Sequence, residues 1–132
     1  MPGHAWHVDC LRFSPDSSRL ATGSWDAEAR IWDVATGREA ILPLKRHLSG
    51  IGSLSFSADG RTLAVWSGDD LHFWSLENSA EMLSIPKVAA WFFNIIGPGG
   101  NAMVWEEGAF SGHFRIHYLP TLAEIDRADR GR

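Results

Sequence analysis

The chain contains itself twice. The segment from Val8, "VDCLRFSPDSSRLATGSWDAEARIWDVATGRE", aligns without forcing on the segment from Ile51, "IGSLSFSADGRTLAVWSGDDLHFWSLENSAE". Phe13 falls on Phe56 and Leu20 on Leu63, 43 positions apart, and Trp32 falls on Trp74 after a one-residue deletion. A repeat of this length is one supersecondary unit that buries its apolar face only against its neighbours, so the chain must stack its units. Each unit has an alternating run ending at "FSPD" or "FSAD", a second run ("RLATGS", "TLAVWS"), a tight acidic turn, and a third run ("EARIW", "LHFWS"). Short alternating runs separated by turn residues read as antiparallel strands. A fainter third copy follows when Ile96, Gly100 and Met103 are laid on Phe56, Gly60 and Leu63, which places "RIHYLPT" on "RIWDVAT". Near the end, Thr121 followed by Glu124 has the spacing of a capping box and predicts a short terminal helix.

The first unit holds two Trp-Asp pairs, Trp25-Asp26 and Trp32-Asp33. With Gly3-His4, "FSPD", "LATGS" and "RIWDVATG", they resemble the WD-repeat β-propeller family, specifically over residues 3–39, well over 46–77 with Arg46 in place of the motif's Gly, and faintly over 88–122. The resemblance implies an all-β fold: a partial propeller of about three four-stranded antiparallel blades at 3–45, 46–86 and 87–121, with a tail at 122–132. It also implies a hydrogen-bonded tetrad that locks each blade, carried by His4, Ser24 or Thr22, Asp26 and Trp32, and again by His47, Ser67, Asp69 and Trp74. Buried indole, hydroxyl, imidazole and carboxylate groups each need a partner, and a closed chain of four supplies one to each. The third unit has Lys87 and His117 at the matching positions and no turn Asp. Asp26 is thus expected to act structurally, and Trp25 is left over at the end of the propeller that faces partners.

Other constellations yield to simpler readings. His4, Ser24 and Asp26 have the residue types of a catalytic triad, but the set recurs one repeat later with a Trp in it. His113 and His117 on a strand stand about 13 Å apart, too far for one metal ion. "GPGG" at 97–100 lacks the Lys-Ser/Thr of a phosphate loop and reads as a hairpin. Glu106-Glu107 and Asp69-Asp70 are adjacent carboxylates that point apart into solvent. Cys10 alternates with Val8 and reads as a small strand residue.

Seven tryptophans against one tyrosine in 132 residues fit an aromatic repeat, and 45% hydrophobic residues suffice for a core. The net charge of −4 argues against a nucleic-acid-coating surface. One cysteine gives no internal disulfide, so a cytoplasmic setting is the expectation. The apolar stretch "VAAWFFNII" is too short to span a bilayer.

The expected function is a non-catalytic protein-protein interaction scaffold with no cofactor and no metal, the C-terminal piece of a larger propeller. The ending "LPTLAEIDRA" resembles the tail of large bacterial WD-repeat proteins, some of which carry a kinase domain. Alternatives are a regulatory fragment of such an enzyme and a self-assembling module joined through open blade ends. Partner binding is expected at Trp25, with His7 and Asp9 placed beside it by strand alternation. Such a site favours a basic peptide, and favours it more once a nearby imidazole is neutral above about pH 6.5. The second unit's equivalents, Gly50, Gly52 and Gly68, offer backbone alone.

Overall fold

The computed structural model describes residues 3–45, 47–68, 70–86, 90–96, 102–107 and 114–118, and for residues from 90 onward the backbone alone. The expected terminal helix, "GPGG", Arg46, Asp69, Lys87 and His113 lie outside the described residues, as do the side chains of Glu106, Glu107 and His117.

Among the described residues three antiparallel sheets follow one another along the chain. The first is β1 (Val8–Phe13), β2 (Arg19–Ser24) and β3 (Ala29–Asp33), in that order. The second adds an outer strand: β4 (Ile51–Phe56), β5 (Thr62–Ser67), β6 (Asp70–Ser75) and β7 (Ala80–Ile85). The third is β8 (Ala90–Ile96), β9 (Ala102–Glu107) and β10 (Phe114–Tyr118). In the first sheet the place of an outer strand is taken by two isolated bridges, Ala29 to Leu44 and Trp32 to Glu39. The first strands of the sheets stack in sequence, with β4 against β1 and β2 on one side and against β8 on the other.

The repeat is visible in its turns. After β1, the Ser14 hydroxyl donates to the Asp16 carboxylate at 2.7 Å and accepts from the Arg19 N–H at 3.0 Å. After β4, Ser57 donates to Asp59 at 2.6 Å and accepts from the Thr62 N–H at 3.0 Å. The left-handed residue is Ser17 in the first turn, with φ of 61°, and Gly60 in the second, with φ of 71°. These bonds are local to each turn, so "FSPD" and "FSAD" favour the turn through their own residues. The Ser14 hydroxyl and the Ser18 N–H and hydroxyl hold the Asp16 carboxyl down to about 2.

The core lies between the first two sheets. Ala21, Ala29 and Ile31 of the first meet Leu44, Ile51, Leu54, Phe56, Leu63, Val65, Trp74 and Leu76. The approach is close because β2 carries Gly23: a Cβ there would stand 2.4 Å from Ile51 Cγ2 and 2.8 Å from Cys10 Sγ. Equivalent positions meet opposite fates. Leu54 and Phe56 are 0% and 8% exposed, whereas Leu11 and Phe13, one repeat earlier, are 51% and 56% exposed. The second sheet rests that face on the first sheet, while the first presents its own to solvent.

Each first strand carries a β-bulge near its start. Register shifts between Val8 and Cys10, between Ile51 and Ser53, and between Ala90 and Phe93. The extra residues of the first two bulges are Asp9 and Gly52, one repeat apart. A bulge re-aims its side chain, and this breaks the period-2 argument that paired His7 with Asp9.

Candidate functional site: a hydrogen-bonded blade core and an inter-blade cleft

In the first unit, hydrogen bonds run through four side chains from four elements. Trp32 Nε1–H on β3 donates to Thr22 Oγ1 on β2 at 2.8 Å. The Thr22 hydroxyl lies 2.8 Å from His4 Nε2, and His4 Nδ1 lies 3.0 Å from Asp26 Oδ2 in the β2–β3 turn. The carboxylate requires a donor, so the proton sits on Nδ1 and Nε2 accepts from Thr22. Asp26 also accepts from the Ala5 N–H at 2.9 Å and the Glu28 N–H at 3.0 Å. Burial works to raise the Asp26 carboxyl, but the two N–H donors and His4 prevail and hold it below the usual carboxylate range.

The hydroxyl in this chain is Thr22's. Ser24, the other candidate, is fully buried and instead accepts from the Asp26 N–H at 3.1 Å, shaping the turn. Thr22 lies diagonally across from Trp32, beside the Leu20–Trp32 register pair, and the diagonal is within reach of an indole. The two Trp-Asp pairs do different work: Asp33 accepts from the N–H and hydroxyl of Thr36 at 2.8 and 2.9 Å, closing the turn after β3.

The second unit departs from this arrangement because Val65 stands where the first has Thr22. Trp74 Nε1–H donates directly to His47 Nε2 at 3.2 Å, and His47 Nδ1–H donates to the Ala27 carbonyl at 3.0 Å. Ser67 is not in this chain of bonds; its hydroxyl donates to the Ser49 carbonyl at 2.6 Å. The His47 imidazole therefore links a turn of the first unit to the Trp of the second. Burial pushes its pKa below the ordinary histidine value, and the edge-on His72 ring, 5.0 Å away, acts in the same direction against Ala27 and Glu81. A related substitution runs along the sheet: Arg30 pairs with Glu39 at 2.8 Å, and one repeat later His72 pairs with Glu81 at 3.2 Å.

Trp25 is 61% exposed and forms one wall of a cleft of about 220 Å³ between the first two units. The cleft is lined by Asp9, Trp25, Ser49, Gly50, Ile51, Gly52, Trp66 and Gly68. Trp25 Nε1–H donates to the Asp9 carboxylate that the bulge turns toward it. His7 does not line the cleft; its carbonyl accepts from the Trp25 N–H at 3.0 Å. Trp66 went unnoticed in the sequence, although a bulky residue 43 positions after Gly23, where the first unit needs a glycine, was the available signal. Cys10 sits beneath, its thiol pushed up to about 11 by burial, with Arg12 pulling the other way. A thiol held so high stays protonated at neutral pH and is a poor nucleophile.

Residues 1–33 match the family model "WD domain, G-beta repeat". The chain is 36% identical over 86 residues to mouse WD repeat-containing protein 1, covering 63% of this chain and 14% of that protein. It is 37% identical over 82 residues to the Periodic tryptophan protein 2 homolog of Schizosaccharomyces pombe, covering 61% and 10%. The tobacco (Nicotiana tabacum) guanine nucleotide-binding protein subunit beta shares 35% identity over 77 residues, covering 54% and 20%. Residues 1–33 are a WD repeat, and the chain is similar in sequence and in fold to WD-repeat β-propellers. It spans about a tenth to a fifth of the length of these curated relatives.

The fold likeness covers more of the chain than the sequence likeness does. The β-propeller domain of Cps50 (Swd1) from Myceliophteria thermophila superimposes with a TM-score of 0.71 at 20% identity, over 97% of this chain and 45% of that one. The architecture is that of a partial WD-repeat propeller whose blades are the sheets described above. Among the described residues no helix is long and apolar enough to cross a membrane.

Proposed function

We infer that the chain is a non-catalytic protein-interaction scaffold, a segment of a larger WD-repeat propeller with blade units at 3–45, 46–86 and 87–121. Its partner surface is the inter-blade cleft bearing Trp25 and Asp9. The observation that carries this reading is the contrast between the two blade tryptophans of the first unit. The Trp32 indole N–H is spent inside the blade on Thr22, whereas Trp25 lies open beside a cleft with its N–H anchored to Asp9. An exposed indole held by a hydrogen bond has less conformational entropy to lose on binding, and tryptophan is enriched among the residues that dominate interface energetics. His4, Asp16, Asp26 and Asp33 of the first unit are engaged in hydrogen bonds that hold its turns and strands together, which supports a scaffold over an enzyme.

The test is capture of partners from lysate by the wild-type chain, by Trp25→Ala and by Asp26→Ala, each checked by circular dichroism. Trp25→Ala should keep its fold and lose about 2 kcal/mol or more of partner binding. Asp26→Ala should lose structure, because three donors are left without their acceptor. Unchanged capture by folded Trp25→Ala removes the cleft from the partner surface.

Self-assembly is a second reading with its own support. The face carrying Leu11 and Phe13 is the equivalent of one that, a repeat later, is buried against a blade. On this reading a blade of a second copy covers that face.

A further inference from the structure

The cleft has two aromatic walls, and they come from different blades. Trp25 stands at the end of β2 and Trp66 on β5, yet both lean on the same short stretch, Gly50–Ile51–Gly52. A Cβ on Gly50 would come within 3.1 Å of Trp25 Cα and 3.5 Å of its Cγ. One on Gly52 would come within 3.0 Å of Trp66 Cε3 and Cζ3. The Trp66 ring thus occupies the side-chain space that Gly52 leaves free, and the Trp25 backbone closes on Gly50 with its ring at van der Waals distance. The two glycines bring both walls of the cleft onto one backbone segment.

Asp9 supplies the charge. Its carboxylate accepts the Trp25 indole N–H, and a carboxylate has about four lone-pair sites, so acceptor capacity remains. Among the described lining residues it is the one ionisable group. A cleft of about 220 Å³ lies below the size of drug-like pockets and suits one side chain, not a helix or a strand.

The geometry points to a single cationic side chain, a lysine or arginine presented by a partner protein, with its stem along Gly50–Ile51–Gly52 and its head at Asp9. This deepens the reading of the cleft as the partner surface and rests on it. Tryptophan attracts a cation over its face more strongly than the other aromatic residues do. Long basic side chains cover apolar surface with their stems while the charged head stays solvated, which matches apolar walls ending at an open carboxylate. The Trp25–Asp9 bond holds wall and charge in place before the ligand arrives, and the chain's net charge of −4 has the attracting sign.

The experiment uses the whole chain with ¹⁵N-labelled indoles and two probes, Nα-acetyl-lysine methylamide and its uncharged Nε-acetyl counterpart. The lysine probe should shift the Trp25 and Trp66 indole resonances saturably and leave Trp74 unmoved. The neutral probe should bind about fivefold or more weakly, and Asp9→Asn should weaken the lysine probe by a similar factor. Trp66→Leu leaves the Trp25–Asp9 pair in place and should also weaken it, so the proposal stays testable if Asp9→Asn displaces Trp25. Equal binding of the two probes, or no movement of either cleft indole in a folded chain, overturns the assignment. The two readings can fail separately. If capture of a lysate partner depends on Trp25 while the probes bind alike, the cleft takes a different occupant. If the lysine probe binds as expected and capture ignores Trp25, the partner surface lies elsewhere and the cation preference stands.

Discussion

Thr22→Val is the substitution that most directly interrogates the blade core. It keeps the side-chain shape and removes a hydroxyl that meets Trp32 Nε1 and His4 Nε2, each at 2.8 Å. Two neutral hydrogen bonds, each with a net contribution of about 0.5–1.5 kcal/mol, put the loss at about 1–3 kcal/mol. The protein contains a natural version of the change. Val65 occupies the equivalent place in the second unit, where Trp74 reaches its histidine directly at 3.2 Å. If the first unit relaxes in the same way, one bond replaces two and the loss shrinks to about 0.5–1.5 kcal/mol. The assay is urea unfolding followed by circular dichroism at fixed protein concentration, for Thr22→Val, Trp32→Phe and the double variant. Because the hydroxyl and the indole share one bond, Trp32→Phe should cost less in the Thr22→Val background than alone, with a coupling of about 0.5–1.5 kcal/mol. A coupling near zero would show that Trp32 has turned to His4 as Trp74 does to His47, and a neutral Thr22→Val would refute the bridging role of the hydroxyl.

Gly23→Ala places a Cβ 2.4 Å from Ile51 Cγ2 and should cost about 1–3 kcal/mol in the same assay, the range for overpacking a tight core. Because the folded pKa of His47 lies below its unfolded value, the unfolded state takes up the proton first. Its contribution to stability is therefore complete above about pH 6.5 and declines as pH falls through 6.5 toward the folded pKa. The urea midpoint measured across that window should fall less steeply in His47→Asn, which removes the titrating ring. Phe13→Ser should reduce self-association in light scattering with little loss of stability, whereas Phe56→Ser, at the buried equivalent, should unfold the chain. Retained self-association in a folded Phe13→Ser chain would clear the exposed face of a role in assembly.

The sequence by itself determined whatever the repeat carries locally. The strands, the "FSPD" and "FSAD" turns, and the Asp26 and Asp33 turns depend on neighbours within a few residues, and side chains that bond their own backbone write those features into the order of residues. The residue types of the blade core were legible for the same reason, since Trp32 and Trp74 recur at the repeat. Which hydroxyl joins that core was not, because Thr22 and Ser24 alternate onto one face and only the diagonal reach of Trp32 across β2 and β3 selects Thr22. The cleft belonged wholly to tertiary structure. Strand alternation gave His7 and Asp9 a common side, and the bulge at Asp9, set by the register of β1 against β2, parted them. Gly50 and Gly52 looked empty because what closes on them, the Trp25 backbone and the Trp66 ring, is distant along the chain and joined when two blades stack. The burial of Phe56 and the exposure of Phe13 make the same point: equivalent residues in one repeat differ because burial depends on what lies across the interface, which a blade's own sequence does not encode.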